Sequence, residues 1–414
     1  MINNKKKMLP QLVWLALCVL PGLSQADETV AATNEIRLAT SLDLQGQSKG
    51  LGAGMLSGLE AAFKDKQVGN KSIKLLSEND NYSPPKTIEA VNKLLSQDVF
   101  AFVGNVGTPT AAVSLPILAE KKIPAIGFFT GADLLRGKQE GVINYRASYS
   151  QEVKTVVSEA FKNGYGPASI CAYVQDDSYG LSGLKGLKDA LVGQQGVAYI
   201  SEALDKIFQQ TGDDAKRNGI GPVGVYQRNS LAVREAYDSL KSWESKQGRA
   251  CKFILTVGTY ESVARFVTYA QGKKESWVFS AVSFTGADNL RNQLTEFGVK
   301  DRVFMTQVVP ALESDLPIVN DARTALGEDF GYVSLEGYIV GRMLLKAMED
   351  VNTAGKEVTR DNVVAALRGQ KFDLGGLPLD FTDDNQGSDL VIMTALADKK
   401  WAPVDSATWK GWYK

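Results

Sequence analysis

Histidine is missing from all 414 residues, which removes the commonest general base and the commonest metal ligand. A Ser/His/Asp triad and a zinc site are excluded with it. Cysteine is scarce, at 3 residues. No charge of either sign dominates, with 46 basic against 47 acidic side chains, so neither nucleic acid nor an anionic membrane is an expected partner. P-loop lysines, nucleophile elbows and metal-spaced clusters do not occur. The glycine-rich run Gly50-Leu51-Gly52-Ala53-Gly54 does not have the G-x-G-x-x-G spacing of a dinucleotide loop. No cofactor is expected.

Long apolar runs are lacking too, except at the N-terminus. There Lys5, Lys6 and Lys7 precede an apolar stretch from Leu9 to Leu20, followed by Pro21, Gly22 and Ser24-Gln25-Ala26. That order is a secretory signal peptide with cleavage expected after Ala26, so residues 1–26 are set apart and the periplasm is the expected location. Leu17 before Cys18 is too bulky for lipoprotein processing. The remaining chain contains no run of the roughly 20 apolar residues needed to span a bilayer. It is expected to be a soluble monomer, and it is longer than one hydrophobic core usually organises.

What the chain does contain is alternation. From Ile36, short apolar strands alternate with amphipathic helices, the pattern of an α/β fold with parallel sheets covered on both faces. Strands are expected at 36–41, 73–78, 100–104, 124–128 and 142–146. The pattern then restarts, with strands near 169–175, 197–203, 252–258, 277–282 and 302–308. The stretch 204–228 reads as an irregular surface excursion, and short strands near 371–381 and 391–398 follow two further helices. The expectation is two doubly wound lobes, 27–147 plus 312–372 and 148–311 plus 373–414, joined by a multi-crossing hinge.

One segment echoes another. Phe129-Thr130-Gly131-Ala132-Asp133-Leu134-Leu135-Arg136 recurs as Phe284-Thr285-Gly286-Ala287-Asp288-Asn289-Leu290-Arg291, identical at seven of eight positions. Each copy follows the fourth expected strand of its own set. A loop-and-cap solution used twice would also produce it, without any ligand.

In open parallel sheets, ligands sit beyond the carboxyl ends of the strands. Four loops qualify. Gly104-Asn105-Val106-Gly107-Thr108-Pro109-Thr110 leads into a helix, with Thr108 suited to the N-cap and Pro109 to the first turn. Such a helix start presents free N–H groups to an anion. The others are Phe129-Thr130-Gly131, Asp176-Asp177-Ser178-Tyr179-Gly180 and Gly258-Thr259-Tyr260-Glu261. Plain helix capping explains the first equally well and accounts for most of the others. Cys171 and Cys251, both near strand starts of the second set, could form a disulfide or remain two buried thiols.

Taken together, these residues resemble the leucine/isoleucine/valine-binding group of type I periplasmic binding proteins, which serve ABC transporters. The landmarks are Gln45-Gly46 with Gly52 and Gly58, Ile73 to Asp80 with Pro85, Gly104 to Thr110, Asn144 to Tyr149, Gln175 to Gly180 and Leu335 to Tyr338. The likeness is closer still to a branch in which the segments around Thr130-Gly131-Ala132, Val282-Ser283-Phe284 and Leu374-Gly375-Gly376 recur.

The resemblance implies a non-enzymatic protein that captures a small polar solute, an amino acid, amide or carboxylate, by hinge closure and passes it to an ABC permease. A membrane sensor is the alternative partner. It implies that Thr108 and a hydroxyl near Thr130-Gly131 hold a ligand carboxylate, with Gly107 and Phe129 also at the ligand, and Tyr179 and Thr259 or Tyr260 on the second lobe. The acid that pairs with the ligand ammonium in amino-acid binders falls on or beside Ser283, and an aromatic wall from the first loop falls near Leu51. Glu261, Asp177 or Glu152 could supply the displaced carboxylate.

Overall fold

The computed structural model describes residues 34–137, 139–212 and 215–412. The signal segment, its cleavage after Ala26 and Cys18 lie outside them. The chain from Glu35 onward is one compact unit built on two sheets.

The first sheet contains β1 (Glu35–Leu42), β2 (Gln67–Val68), β3 (Lys71–Asn79), β4 (Ala101–Val103), β5 (Ala125–Ile126) and β6 (Val142–Ile143). Their spatial order is β2-β3-β1-β4-β5-β6. All neighbours are parallel except the β2–β3 pair. Between them run α1 (Lys49–Phe63), α2 (Pro84–Leu95) and α3 (Thr108–Glu120). The short strands β4, β5 and β6 are buried throughout, as strands covered on both faces must be.

The second sheet begins after α4 (Tyr149–Lys162) with β7 (Ile170–Gln175), α5 (Ser178–Ala190), α6 (Ala198–Gln209), β8 (Val223–Tyr226), α7 (Arg234–Gln247), β9 (Phe253–Val257), α8 (Tyr260–Gly272), β10 (Val278–Ala281), α9 (Ala287–Glu296) and β11 (Val303–Gln307). The chain then returns to the first body through α10 (Pro317–Leu326), α11 (Tyr332–Thr353) and α12 (Arg360–Leu367), makes a hairpin of β12 (Lys371–Leu374) and β13 (Leu377–Asp380), and ends with β14 (Ile392–Ala397), β15 (Lys400–Pro403) and α13 (Ser406–Trp412). The last two strands add antiparallel to β11, giving the order β15-β14-β11-β10-β9-β7-β8. The expected α/β class with two doubly wound, mostly parallel sheets is the one observed.

Two local expectations fail. Residues 197–203 are not a strand but open α6, because Ile200, Ala203, Leu204 and Ile207 recur at helical spacing and are all buried, a period the short apolar run at its start concealed. The stretch 204–228 is correspondingly not irregular throughout. It holds the rest of α6 and β8, which pairs parallel with β7.

The glycine-rich run lies inside α1 and serves packing. A Cβ at Gly52 would stand 2.0 Å from the Asp43 carbonyl oxygen, and one at Gly58 only 2.2 Å from that of Ser334 on α11. Glycine at these points lets α1 lie directly on the β1 loop and on α11.

Three chain segments cross side by side between the bodies. Tyr145 donates its hydroxyl hydrogen to the Val308 carbonyl at 3.0 Å. Asn144 N donates to Asn385 O at 2.7 Å, and Gly387 N returns the bond to Asn144 O at 2.9 Å. A link of three bonded strands can bend while holding the bodies in register. The point 372/373 lies inside the β12–β13 hairpin, whose turn accepts a hydrogen bond from Ile318 N of α10. Cys171 and Cys251 form a disulfide within the second body, with Cα atoms 5.8 Å apart.

Candidate ligand-binding site

The loop after β4 and the loop after β5 are joined along their length. Phe129 N donates to Asn105 O at 2.8 Å and Gly107 N to Phe129 O at 3.2 Å. Gly107 has φ of 109°, and a Cβ there would meet the Tyr82 ring at 2.3 Å, so only glycine lets the chain turn into α3 at this point. Helix α3 starts one residue earlier than the sequence suggested. Gly107 takes the cap position and Thr108 is the first helical residue, which frees the Thr108 hydroxyl to meet that of Thr130 at 2.7 Å.

The repeated octapeptide lies at the junction of the bodies in both copies. Phe129 and Phe284 stand 5.2 Å apart, centroid to centroid. Phe284 also contacts Tyr179 at 4.7 Å, Tyr82 at 6.2 Å and Tyr149 at 6.4 Å. Gly131 is pressed against Tyr149, where a Cβ would lie 2.7 Å from the ring. Tyr179 is fully buried and donates its hydroxyl hydrogen to Gly258 O at 3.3 Å.

Beneath the rings lies a buried charge cluster. The Arg146 guanidinium sits 4.6 Å over the Phe129 ring, donates to Ser283 Oγ, and lies 3.4 Å from a Glu336 oxygen and 4.0 Å from a Glu152 oxygen. Glu152 in turn accepts from Ser283 N at 2.7 Å, Ser283 Oγ at 2.9 Å and Thr306 Oγ1 at 2.5 Å. Burial pushes the carboxyls of Glu152 and Glu336 up, Glu336 to about 7, against the opposing pull of Arg146. Phe129, Ser283 and Glu336 also wall a cavity of about 10 Å³ with Gln307, Val308, Val309, Tyr332 and Val333, about the space of one water molecule.

The structure therefore brings Gly107, Thr108, Phe129, Thr130, Gly131, Tyr179 and Ser283 to one junction. Leu51, Thr259 and Tyr260 form a separate contact nearby. Gly50 N donates to Tyr260 Oη at 3.3 Å, Leu51 abuts Gly286, and Thr259 N donates to Tyr226 Oη at 3.0 Å. Of the carboxylates offered in place of an acid at Ser283, Glu152 is the one that reaches it.

Arg146, Tyr149, Phe284, Tyr82 and Glu336 carry no signal in the sequence that assigns them a role. Arg146 and Tyr149 stand inside the Asn144–Tyr149 landmark, and Phe284 opens the second octapeptide. Glu152 lies only a few residues along from Arg146, but nothing local shows that the pair is buried, because the groups that complete the cluster, Ser283 and Glu336, are 137 residues away and farther still. Among the described residues, no group of acidic or cysteine side chains is arranged to hold a metal, and no helix is long and apolar enough to cross a membrane.

A periplasmic binding protein family model matches residues 35–205. A possible leucine/isoleucine/valine-binding protein from Rhodopirellula baltica SH 1 is 33% identical, over 90% of this chain and 96% of that one, with a TM-score of 0.77. The chain belongs to the type I periplasmic binding protein family. As a type I periplasmic binding protein it is a solute binder by family, and the family is periplasmic.

More distant structures share the fold. A branched-chain amino acid ABC transporter protein from Thermus thermophilus with bound valine is 15% identical, with a TM-score of 0.72 over 92% of this chain and 98% of that one. A solute-binding protein of an R. palustris ABC transporter in complex with 4-hydroxybenzoate is 16% identical, with a TM-score of 0.67 over 90% of this chain and 96% of that one. No curated protein matches the sequence.

Proposed function

We propose that this periplasmic binding protein captures a small polar solute between its two bodies by hinge closure and delivers it to an ABC permease. The observation that carries this reading is the meeting of strand-end loops from both sheets at one junction, with Phe129 against Phe284 and Thr108 bonded to Thr130. Polar groups contributed from both sides make closure depend on what lies between them. The three bonded crossings support a bending motion rather than free separation of the bodies. Secretion with signal cleavage after Ala26 and action as a monomer complete the proposal.

Calorimetry tests it, with amino acids, amides, carboxylates, polyamines and sugars as titrants. A micromolar or tighter ligand is expected, together with a smaller radius of gyration by solution scattering when it binds. Thr108→Ala should weaken that binding about tenfold by removing one buried hydroxyl. Undiminished affinity in Thr108→Ala would remove Thr108 from the site.

A further inference from the structure

Resting on that reading, we infer that the solute is a carboxylate with a flat or branched apolar body and no α-ammonium group. The reason is the balance of buried charge and of hydrogen-bonding capacity at the junction.

Every buried carboxylate near the junction is already committed. Glu152 takes three hydrogen bonds and lies beside Arg146. Glu336 faces the same guanidinium. Asp177 accepts from Tyr179 N, Gln175 Nε2 and Arg228 Nη1. Asp80 accepts from Ser41, Thr87 and Tyr82 N. Asp43 accepts from Gly46 N and Ser48 N. An ammonium enclosed here would find no anion to spare, and a buried charge without a partner is costly.

Donors, by contrast, are in surplus. Arg146 Nη1 is buried and unpaired. The Tyr149 hydroxyl, set beside Thr130, is buried without completing a hydrogen bond of normal geometry. In the loop leading to α3, Asn105 Nδ2 is a further buried donor without a partner, although Asn105 Oδ1 is an equally unpaired acceptor. The first turn of α3 adds N–H groups that no helix can satisfy internally. A second guanidinium, Arg136, stands behind them, donating to the carbonyls of Thr130, Ala132 and Arg146. Buried Arg146 and half-buried Arg136 against Glu152 and Glu336 leave this cluster of four without net negative charge to attract a cation.

The rest of the junction is aromatic. When the bodies part, Phe129 and Tyr82 separate from Phe284, and an apolar group of similar width, held between them as they close again, packs against the same ring faces. The carboxylate end then faces the donors and the apolar end the rings.

Matched pairs that differ in one group test this. Hydrocinnamate is compared with phenylalanine and with hydrocinnamamide, and isocaproate with leucine, by calorimetry and thermal shift on the mature wild-type protein. The expected result is that at least one acid binds about tenfold or more tighter than its amino acid and its amide. Tyr149→Phe, which removes one oxygen and keeps the ring, should weaken that acid several-fold with an unchanged melting temperature. Equal or tighter binding of an amino acid or the amide overturns the inference while leaving solute capture intact. Binding of a sugar or polyamine alone does the same. Silence across every class of titrant overturns both.

Discussion

Phe129 and Phe284 occupy the same slot of the repeated octapeptide and meet at 5.2 Å across the junction between the two bodies. The aspartate of each copy also reaches over. Asp133 pairs with Lys185 Nζ on α5 at 2.9 Å, and Asp288 accepts from Tyr332 N at the start of α11 at 3.1 Å. A segment repeated in sequence is thus a pair of facing contacts in space, one from each lobe.

The two aspartates should not weigh equally. Asp288 satisfies a helix-start N–H that would otherwise have no acceptor, so Asp288→Ala should cost about 1 kcal/mol of closure, or about fivefold in ligand affinity. The Asp133–Lys185 pair is solvent-exposed, and Asp133→Ala should change affinity by less than about twofold. Titration of both variants with the same ligand checks the order, and a larger effect at Asp133 would contradict it.

Phe284 holds the aromatic junction together. It is fully buried among Phe129, Tyr82, Tyr149 and Tyr179, so Phe284→Ala should destabilise the protein by about 3–5 kcal/mol in urea unfolding. Phe284→Leu should retain most of the stability and bind the ligand more weakly, because volume is largely kept while ring-on-ring packing across the junction is not.

Glu336 should make stability fall as pH rises. Burial lifts its carboxyl from 4.5 to about 7, with Arg146 pulling the other way, so the folded protein holds a proton that the unfolded chain releases. Its contribution is complete below about pH 4.5 and is lost as pH climbs through about 7, a span worth on the order of 3 kcal/mol. Urea unfolding at pH 5 and pH 8 should show a smaller pH difference in Glu336→Gln than in wild type. Identical differences would place the titration elsewhere.

The disulfide closes a loop of 80 residues. Cys171→Ser with Cys251→Ser should lower unfolding stability by about 2–4 kcal/mol, chiefly by freeing the unfolded chain. Ligand affinity should hardly change, since the bridge lies within one lobe, where β7 begins, and away from the junction.

The family's class of fold was legible because α/β alternation is a local property. Strands as short as β4 and β5 still announce themselves by continuous apolar residues between glycines and capped helices. Where local signals conflict, as at 197–203, a four-residue apolar run outweighed the helical period that burial selects. Thr108 and Thr130 were legible as hydroxyls beside glycine turns. Their bond to each other was not, because it depends on how two loops register.

The sequence by itself determined the exclusions and the architecture: no histidine chemistry, two tandem α/β units and an octapeptide used twice. Tertiary structure alone decided that the two copies face one another, that Cys171 reaches Cys251, and that Arg146 lies between Glu152 and Glu336 under Phe129. The reason is physical. Periodicity and capping act within a few residues of the chain, whereas the burial of a charge is settled by partners that only folding brings within reach.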